Sequence, residues 1–188
     1  ADLRGVALNQ SYLAGARLVG ADLSHARMMG AMLFAADLYG ANLYAACLDG
    51  AILQGVRLAG TSLERAHMEG ADLRGAVLVG ADMTEAKCTR ASLVAADLSG
   101  ADLTKTQLTR ANLRGANLAD VSTHRDIASI RDANIYNVRN APEGFTEWAL
   151  ANGAVQKDGE AWHAFVKNDY KEPDDEDTAA DEGDADTN

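Results

Sequence analysis

The side chains that could do chemistry in this 188-residue chain are carboxylates, four histidines and two cysteines. Aspartates recur in Ala-Asp-Leu segments, and carboxylates stacked about 4.8 Å apart would resemble the paired acids of a hydrolytic site. An aspartate in such a segment more often accepts a hydrogen bond from its own turn, which is the role we expect. His25 and His67 are expected on the surface, and the sequence contains no metal-ligand, phosphate-loop or nucleophile motif. It therefore predicts a protein that is not an enzyme and that holds no cofactor or metal.

The two cysteines are not expected to form a disulfide bond. Cys88 takes the place of a buried leucine in the repeat described next, whereas Cys47 points outward two layers away, roughly 10 Å. A disulfide needs Cα atoms within about 7 Å of each other. Two unpaired thiols are typical of a reducing compartment, so we expect a cytoplasmic protein.

The elements that position these residues follow from a five-residue repeat, which runs without insertion through residues 1–120. Leucine fills 20 of the 24 third positions and alanine fills 19 of the 24 first positions, giving the consensus Ala-(Asp/Asn)-Leu-x-Gly. An α-helix would place successive leucines about 140° apart around its surface, and a flat strand would place them on alternate faces. The chain must therefore turn once per unit and bury both columns inside a stack of coils.

These units resemble the repeats of pentapeptide repeat proteins, and the resemblance covers residues 1–120. It implies an all-β solenoid, namely a right-handed quadrilateral β-helix with four units in each 20-residue coil, and hence six regular coils. After Leu118 the pattern resumes two residues out of phase at Ala128. We therefore expect an irregular seventh coil over residues 121–140, with a bulge near His124.

An open solenoid end exposes apolar side chains, so a helical cap is expected over residues 141–172. One helix is predicted within residues 141–155, with Asn140 or Ala141 as its N-cap, and a second from Gly159 to about Tyr170 with Asp158 as its N-cap. We expect the two helices to pack on each other as a lid, with a dimer contact as the alternative. The apolar faces of the two helices carry Phe145, Trp148, Trp162 and Phe165.

The net charge of −11 lies entirely in the C-terminal residues 141–188. Residues 1–140 hold 14 basic and 14 acidic residues, whereas residues 141–188 hold 3 basic and 14 acidic ones. Residues 173–188 are predicted to be a disordered acidic tail. Direct nucleic-acid binding is not expected without a basic footprint, and no apolar run is long enough for a membrane span.

Four units per coil would sort the outward residues into four sides, and two surfaces emerge as candidate sites. The first is an apolar interaction patch near the N-terminal coils, consisting of Tyr12, Met29, Met32, Phe34, Tyr39, Tyr44 and Ile52. The second is an acidic face, consisting of Asp2, Asp22, Asp82, Glu85 and Asp102. Glu64 adds a sixth acid to this side of the rod, and Arg4, Arg65 and Lys105 interrupt it, so the charge of the side sums to only −3.

Two classes of function remain open at this point. The first is a scaffold that binds another protein or itself, with a homodimer through the uncapped N-terminal end or through the C-terminal helices. The second follows from the resemblance, because some pentapeptide repeat proteins protect type II topoisomerase (gyrase) with an acidic surface that imitates DNA. The rod could also be one domain of a longer chain.

Overall fold

The computed structural model describes residues 1–171 and shows a chain that returns to a parallel position every 20 residues. Second-position residues pair with the residue 20 positions later, from Asp2 with Asp22 to Asp97 with Asn117. Because each unit has five residues, four units complete one coil. Each pairing is an isolated bridge, so within residues 1–171 the expected all-β character consists of single bridge residues rather than extended strands.

Two sets of backbone hydrogen bonds hold the coils together. Between layers, the Leu23 N–H donates to the Asn42 carbonyl at 2.7 Å and the Asn42 N–H donates to the Ala21 carbonyl at 2.9 Å. Within a coil, the Ala26 N–H donates to the Leu23 carbonyl at 3.0 Å, which closes the turn between two units. This turn resets the chain direction, so first and third positions always point inward.

The core consists of the first-position and third-position side chains, which are almost fully buried from Ala21 onward. Two threonines replace alanine in this core, and their hydroxyls find partners one layer away. Thr61 donates to the Leu38 carbonyl and Thr106 to the Met83 carbonyl, each at 2.9 Å. In the first coil the third-position side chains remain half-buried because no layer covers them; they are Leu3, Leu8, Leu13 and Leu18.

The fifth position of each unit has a left-handed backbone conformation, which favours glycine. Gly75 has φ 64°, and the space around its missing Cβ is open. Arg65, Glu85 and Lys105 adopt the same conformation with φ near 57°. The repeat therefore tolerates charged side chains at this corner at a modest cost in backbone strain.

The seventh coil contains a two-residue insertion. Gln107 pairs with Ser129 and Asn112 with Asn134, so the spacing of the bridges rises from 20 to 22 residues. The extra residues form a 3₁₀ turn at His124–Asp126. The Thr123 hydroxyl accepts a hydrogen bond from the Leu103 N–H at 2.8 Å, where a backbone carbonyl accepts in the regular coils.

The first helix, α1, spans Phe145–Ala151, and its start differs from the predicted one. Its N-cap is Gly144 with φ 75°, not Asn140 or Ala141, because the Phe145 N–H donates to the Pro142 carbonyl and a turn precedes the helix. Phe145 is only 1% exposed. The helix packs on the 3₁₀ turn of the seventh coil and thereby covers the C-terminal end of the rod.

The second helix, α2, spans Gly159–Lys167, begins at the predicted N-cap Asp158 and ends before Tyr170. The prediction that α1 and α2 pack on each other is wrong, because the two helices share no contact within residues 1–171. The chain between them instead pairs with the seventh coil. Val155 forms a bridge with Asn134, whose side-chain amide donates to the Lys157 carbonyl at 2.8 Å. This pairing carries α2 away from the end of the rod.

The predicted acidic tail over residues 173–188 lies outside the described residues. No helix of residues 1–171 is long and apolar enough to cross a bilayer. The same residues contain no group of histidine, cysteine and carboxylate side chains arranged to hold a metal ion.

Candidate interaction surfaces

The 20-residue spacing sorts the outward residues into four sides, numbered one to four in chain order from residues 1–3, 6–8, 11–13 and 16–18 of the first coil. The two-residue turn after each side forms a corner. Side three carries the bridge residues Tyr12, Met32 and Ile52, which stack in consecutive coils. Phe34 lies at the corner that follows side three, and its ring meets the Tyr12 ring edge-on with centroids 5.8 Å apart. Tyr12 is 68% exposed. An apolar column therefore runs along the first three coils on one side of the rod.

Met29 lies at the corner that precedes side three, next to the apolar column. Its exposed side chain adds to the apolar area of the column. The Met29 N–H is held by the Asn9 side-chain oxygen at 3.0 Å. Five of the seven residues predicted for the patch thus share one surface. We call this set, Tyr12, Met29, Met32, Phe34 and Ile52, the apolar surface.

Tyr39 and Tyr44 do not belong to the apolar surface, because each lies at a different corner of the coil. Tyr39 is exposed at the corner after side four. Tyr44 lies at the corner after side one, where its hydroxyl accepts a hydrogen bond from Arg65 at 2.9 Å and its ring meets the His25 ring at 5.4 Å. The prediction of a single seven-residue patch is therefore wrong for Tyr39 and Tyr44. Consecutive five-residue units lie on consecutive sides of the coil, so residues five positions apart point in different directions.

The aspartates of the candidate acidic face hold their own turns. Asp82 accepts a hydrogen bond from the Thr84 N–H and Asp102 from the Thr104 N–H, both at 2.9 Å. Asp22 accepts from the Ser24 N–H at 3.0 Å. Hydrogen bonds from Ser24 and Thr104 lower the pKa of Asp22 and Asp102, respectively. These three carboxylates are therefore committed to their backbone turns.

The cations on the same face neutralise much of its charge. Arg4 binds Asp2 at 2.8 Å, and its side-chain hydrogen bonds lower the pKa of Asp2 to about 2. Glu85 lies between Arg65 at 2.8 Å and Lys105 at 3.3 Å. Hydrogen bonds from these two cations lower the pKa of Glu85. Two clusters of ion pairs, at Arg4 and at Arg65 with Lys105, thus interrupt the face, which makes it a poor copy of the unbroken charge of duplex phosphate.

Neither cysteine has the environment of a nucleophile. Both are free, and burial raises the pKa of the Cys88 thiol to about 12. Desolvation also raises the pKa of Cys47. Reactive cysteines need a lowered pKa, so both thiols are chemically quiet at neutral pH.

His124 is a feature of the cap that sequence reasoning missed, because its neighbours come from a distant helix. Its imidazole is only 7% exposed and lies 5.8 Å from each of the Phe145 and Trp148 rings. Neither ring nitrogen has a hydrogen-bond partner among residues 1–171. The side chain therefore joins the 3₁₀ turn to α1 by ring packing alone.

Replacing His124 by leucine is expected to raise the free energy of unfolding by about 1 kcal/mol, since an unsatisfied buried polar group is removed and the apolar contact is kept. The increase would appear as a higher urea midpoint with an unchanged m-value. His124→Asn is the matched control, because it keeps a polar group at the site and should lower the midpoint. A lower midpoint for His124→Leu than for the unchanged protein would show that the imidazole contributes a polar interaction.

Comparison with known proteins identifies the repeat. The family model for pentapeptide repeats matches residues 1–38, 35–55, 51–87 and 81–120. The comparison with curated proteins found no match. Among solved structures, HetL of the cyanobacterium Nostoc sp. strain PCC 7120, a pentapeptide repeat protein involved in heterocyst differentiation regulation, is 29% identical with a TM-score of 0.53. That match covers 84% of this chain and 77% of HetL.

Two further solved structures are pentapeptide repeat proteins. Rfr23 of the cyanobacterium Cyanothece 51142 is 36% identical over 45% of this chain, with a TM-score of 0.45, and this chain spans 58% of Rfr23. A protein of the Arabidopsis thaliana thylakoid lumen is 25% identical over 80% of this chain and 91% of its own length, with a TM-score of 0.44. The family model covers the same five-residue units that the structure stacks four to a coil, over well more than half of the sequence. By these units the chain belongs to the pentapeptide repeat family.

Proposed function

We propose that this chain is a non-enzymatic, cytoplasmic scaffold, a right-handed four-sided β-helical rod that binds another protein or a second copy of itself through the apolar surface. The observation that carries the proposal is the column of Tyr12, Met32 and Ile52 in consecutive coils, with the Phe34 ring packed against Tyr12. Tyr12, Ile52 and Phe34 are exposed, and Met32 between them is half-buried. Single exposed apolar residues are common, whereas a contiguous group of large ones is typical of an interface.

The borders of the apolar surface support the same proposal. In the fourth coil, side three becomes polar, because Asp72 forms an ion pair with Arg74 at 2.6 Å and accepts a hydrogen bond from Gln54. An apolar centre with a polar border is the usual arrangement of a protein interface. Aromatic residues and methionine, which make up most of this surface, are enriched at such interfaces.

Protection of a topoisomerase by DNA mimicry finds less support. A DNA-like surface needs rows of unpaired negative charge. The carboxylates of the acidic face instead hold turns or bind Arg4, Arg65 and Lys105. No observation on residues 1–171 favours this second function over the first.

Substituting Phe34 and Ile52 together by aspartate is expected to abolish binding, because two charges would then be buried in an apolar contact. Both residues point outward, so the thermal melt should stay close to that of the unchanged protein. The measurements are sedimentation velocity, for self-association, and affinity capture from lysate of the source organism followed by mass spectrometry.

The matched control is Val77→Asp with Val79→Asp, which adds the same charge at exposed apolar residues away from the apolar surface. Binding should survive in this control. The proposal fails if the Phe34/Ile52 variant sediments like the unchanged protein and captures the same proteins.

A further inference from the structure

The last described residues are anchored on one corner of the rod. The Arg110 guanidinium lies 4.5 Å from the centroid of the Tyr170 ring and 3.9 Å from the Asp169 carboxylate. Arg110 also binds Asp132 at 3.5 Å. The Tyr170 ring packs in turn against Trp162 and Phe165 of α2. The chain therefore leaves the described region at residue 171, beside the corner between sides two and three.

This corner forms a groove of about 260 Å³ with an excess of positive charge. Arg90 and Arg110 occupy the same turn position in successive coils, and Arg131 lies one layer beyond them. The acidic residues in the lining are Asp132, which already pairs with Arg110 and Arg131, and Glu69 at the far end. Arg90 is exposed and takes part in no ion pair among residues 1–171.

The sequence that follows the anchored residues is strongly acidic. Residues 172–188 contain nine aspartates and glutamates and no lysine or arginine. Four of these acids are consecutive, from Asp174 to Asp177. Three residues of chain span about 10 Å, which equals the distance across about two layers of the rod. The chain between residue 171 and the acids at 174–177 is therefore long enough for these acids to reach the layer of Arg90.

We propose that the acidic segment 172–188 binds this groove within its own chain, with carboxylates of residues 174–177 opposite Arg90 and Arg131. Guanidinium groups bind carboxylates through paired, charge-assisted hydrogen bonds. The arginines of the groove and the carboxylates of residues 174–177 are therefore chemically complementary. The Tyr170–Arg110 contact keeps the segment close to the groove and so raises its effective concentration there.

The test uses the full chain with Arg90→Glu and Arg131→Glu combined. Glu85 occupies the turn position equivalent to Arg90 with nearly the same φ, so glutamate fits this backbone. The control combines Arg17→Glu and Arg27→Glu, which changes the charge equally at exposed arginines in the first two coils. The readout is the set of backbone amide chemical shifts of residues 174–177 at about 20 mM and about 500 mM NaCl, since salt screens the contact.

In the unchanged protein and in the Arg17/Arg27 control, these amide shifts are expected to move between the two salt concentrations. In the Arg90/Arg131 variant at low salt, the amide shifts are expected to equal those that the unchanged protein shows at high salt. Equal behaviour of all three proteins would overturn the proposal. Shifts that change on dilution would overturn it as well, because they would show that the groove binds the tail of a second copy.

Discussion

Replacing Phe145 by alanine is expected to lower the free energy of unfolding by about 3–5 kcal/mol, the usual cost of removing a buried phenylalanine. Among residues 1–171, Phe145 is the largest fully buried side chain, and it closes the C-terminal end of the core. Its ring meets the His124 ring at 5.8 Å and the Trp148 ring at 6.3 Å, so the substitution also removes one of the two ring contacts between α1 and the 3₁₀ turn, the other being that of Trp148 with His124. Urea denaturation followed by tryptophan fluorescence and far-ultraviolet circular dichroism would measure the loss.

Leu150→Ala is the matched control, because Leu150 lies in the same helix and is 43% exposed. Its cost should stay within about 0.5 kcal/mol. Since each layer of the rod contacts only its neighbours, the Phe145 variant should first lose amide protection in residues 127–139 under native conditions. Equal midpoints for the two variants would show that α1 does not cover the core as the structure indicates.

The regular part of the rod is predictable from sequence because each unit repeats one local solution. Alanine and leucine two residues apart must point the same way, and a turn between units is the only geometry that buries both columns. Periodicity alone leaves the number of sides open, and the bridges from Asp2 to Asp22 and onward fix it at four. The pairing of Glu85 with Arg65 and Lys105, each 20 positions away, then follows from this spacing.

The cap is less predictable because tertiary contacts decide it. Helical periodicity locates both α1 and α2, but residues 153–157 between them pair with the seventh coil through Asn134. In sequence Asn134 looks like any other second-position asparagine, and only the layer above buries it. The same reason hides the contact of Tyr170 with Arg110, which joins residues 60 positions apart without any local pattern.

The candidate apolar surface could be predicted only in part. Sequence shows which residues point outward, and side three follows once four units form a coil. A run of large residues at consecutive corners, such as Phe34, Tyr39 and Tyr44, looks like a cluster in the sequence. In the coil each of these residues turns onto a different corner, so proximity along the chain is misleading in this fold.

Deleting five residues and deleting three are expected to have opposite consequences, since only the first preserves the repeat. Removal of residues 71–75 takes out one unit and joins Gly70 to Ala76, so every later alanine and leucine still points inward. At the usual stability per residue, the loss should be about 0.5 kcal/mol. Ion pairs that cross the deletion, such as Arg65 with Glu85, are exposed and add little.

Removal of residues 71–73 leaves Arg74 and Gly75 as a two-residue side, which reaches at most about 7 Å and cannot close a coil in register. The leucines that follow would be displaced toward the corners, at about 1.5–3 kcal/mol each. Four such residues would cost about 6–12 kcal/mol, which is comparable to the whole stability of an ordinary domain. The natural two-residue insertion survives because the Thr123 hydroxyl replaces a missing carbonyl and α1 covers the altered coil. Circular dichroism and thermal melting should therefore show a folded five-residue deletion and an unfolded or aggregated three-residue deletion. Two equally stable proteins would contradict a core built on strict five-residue register.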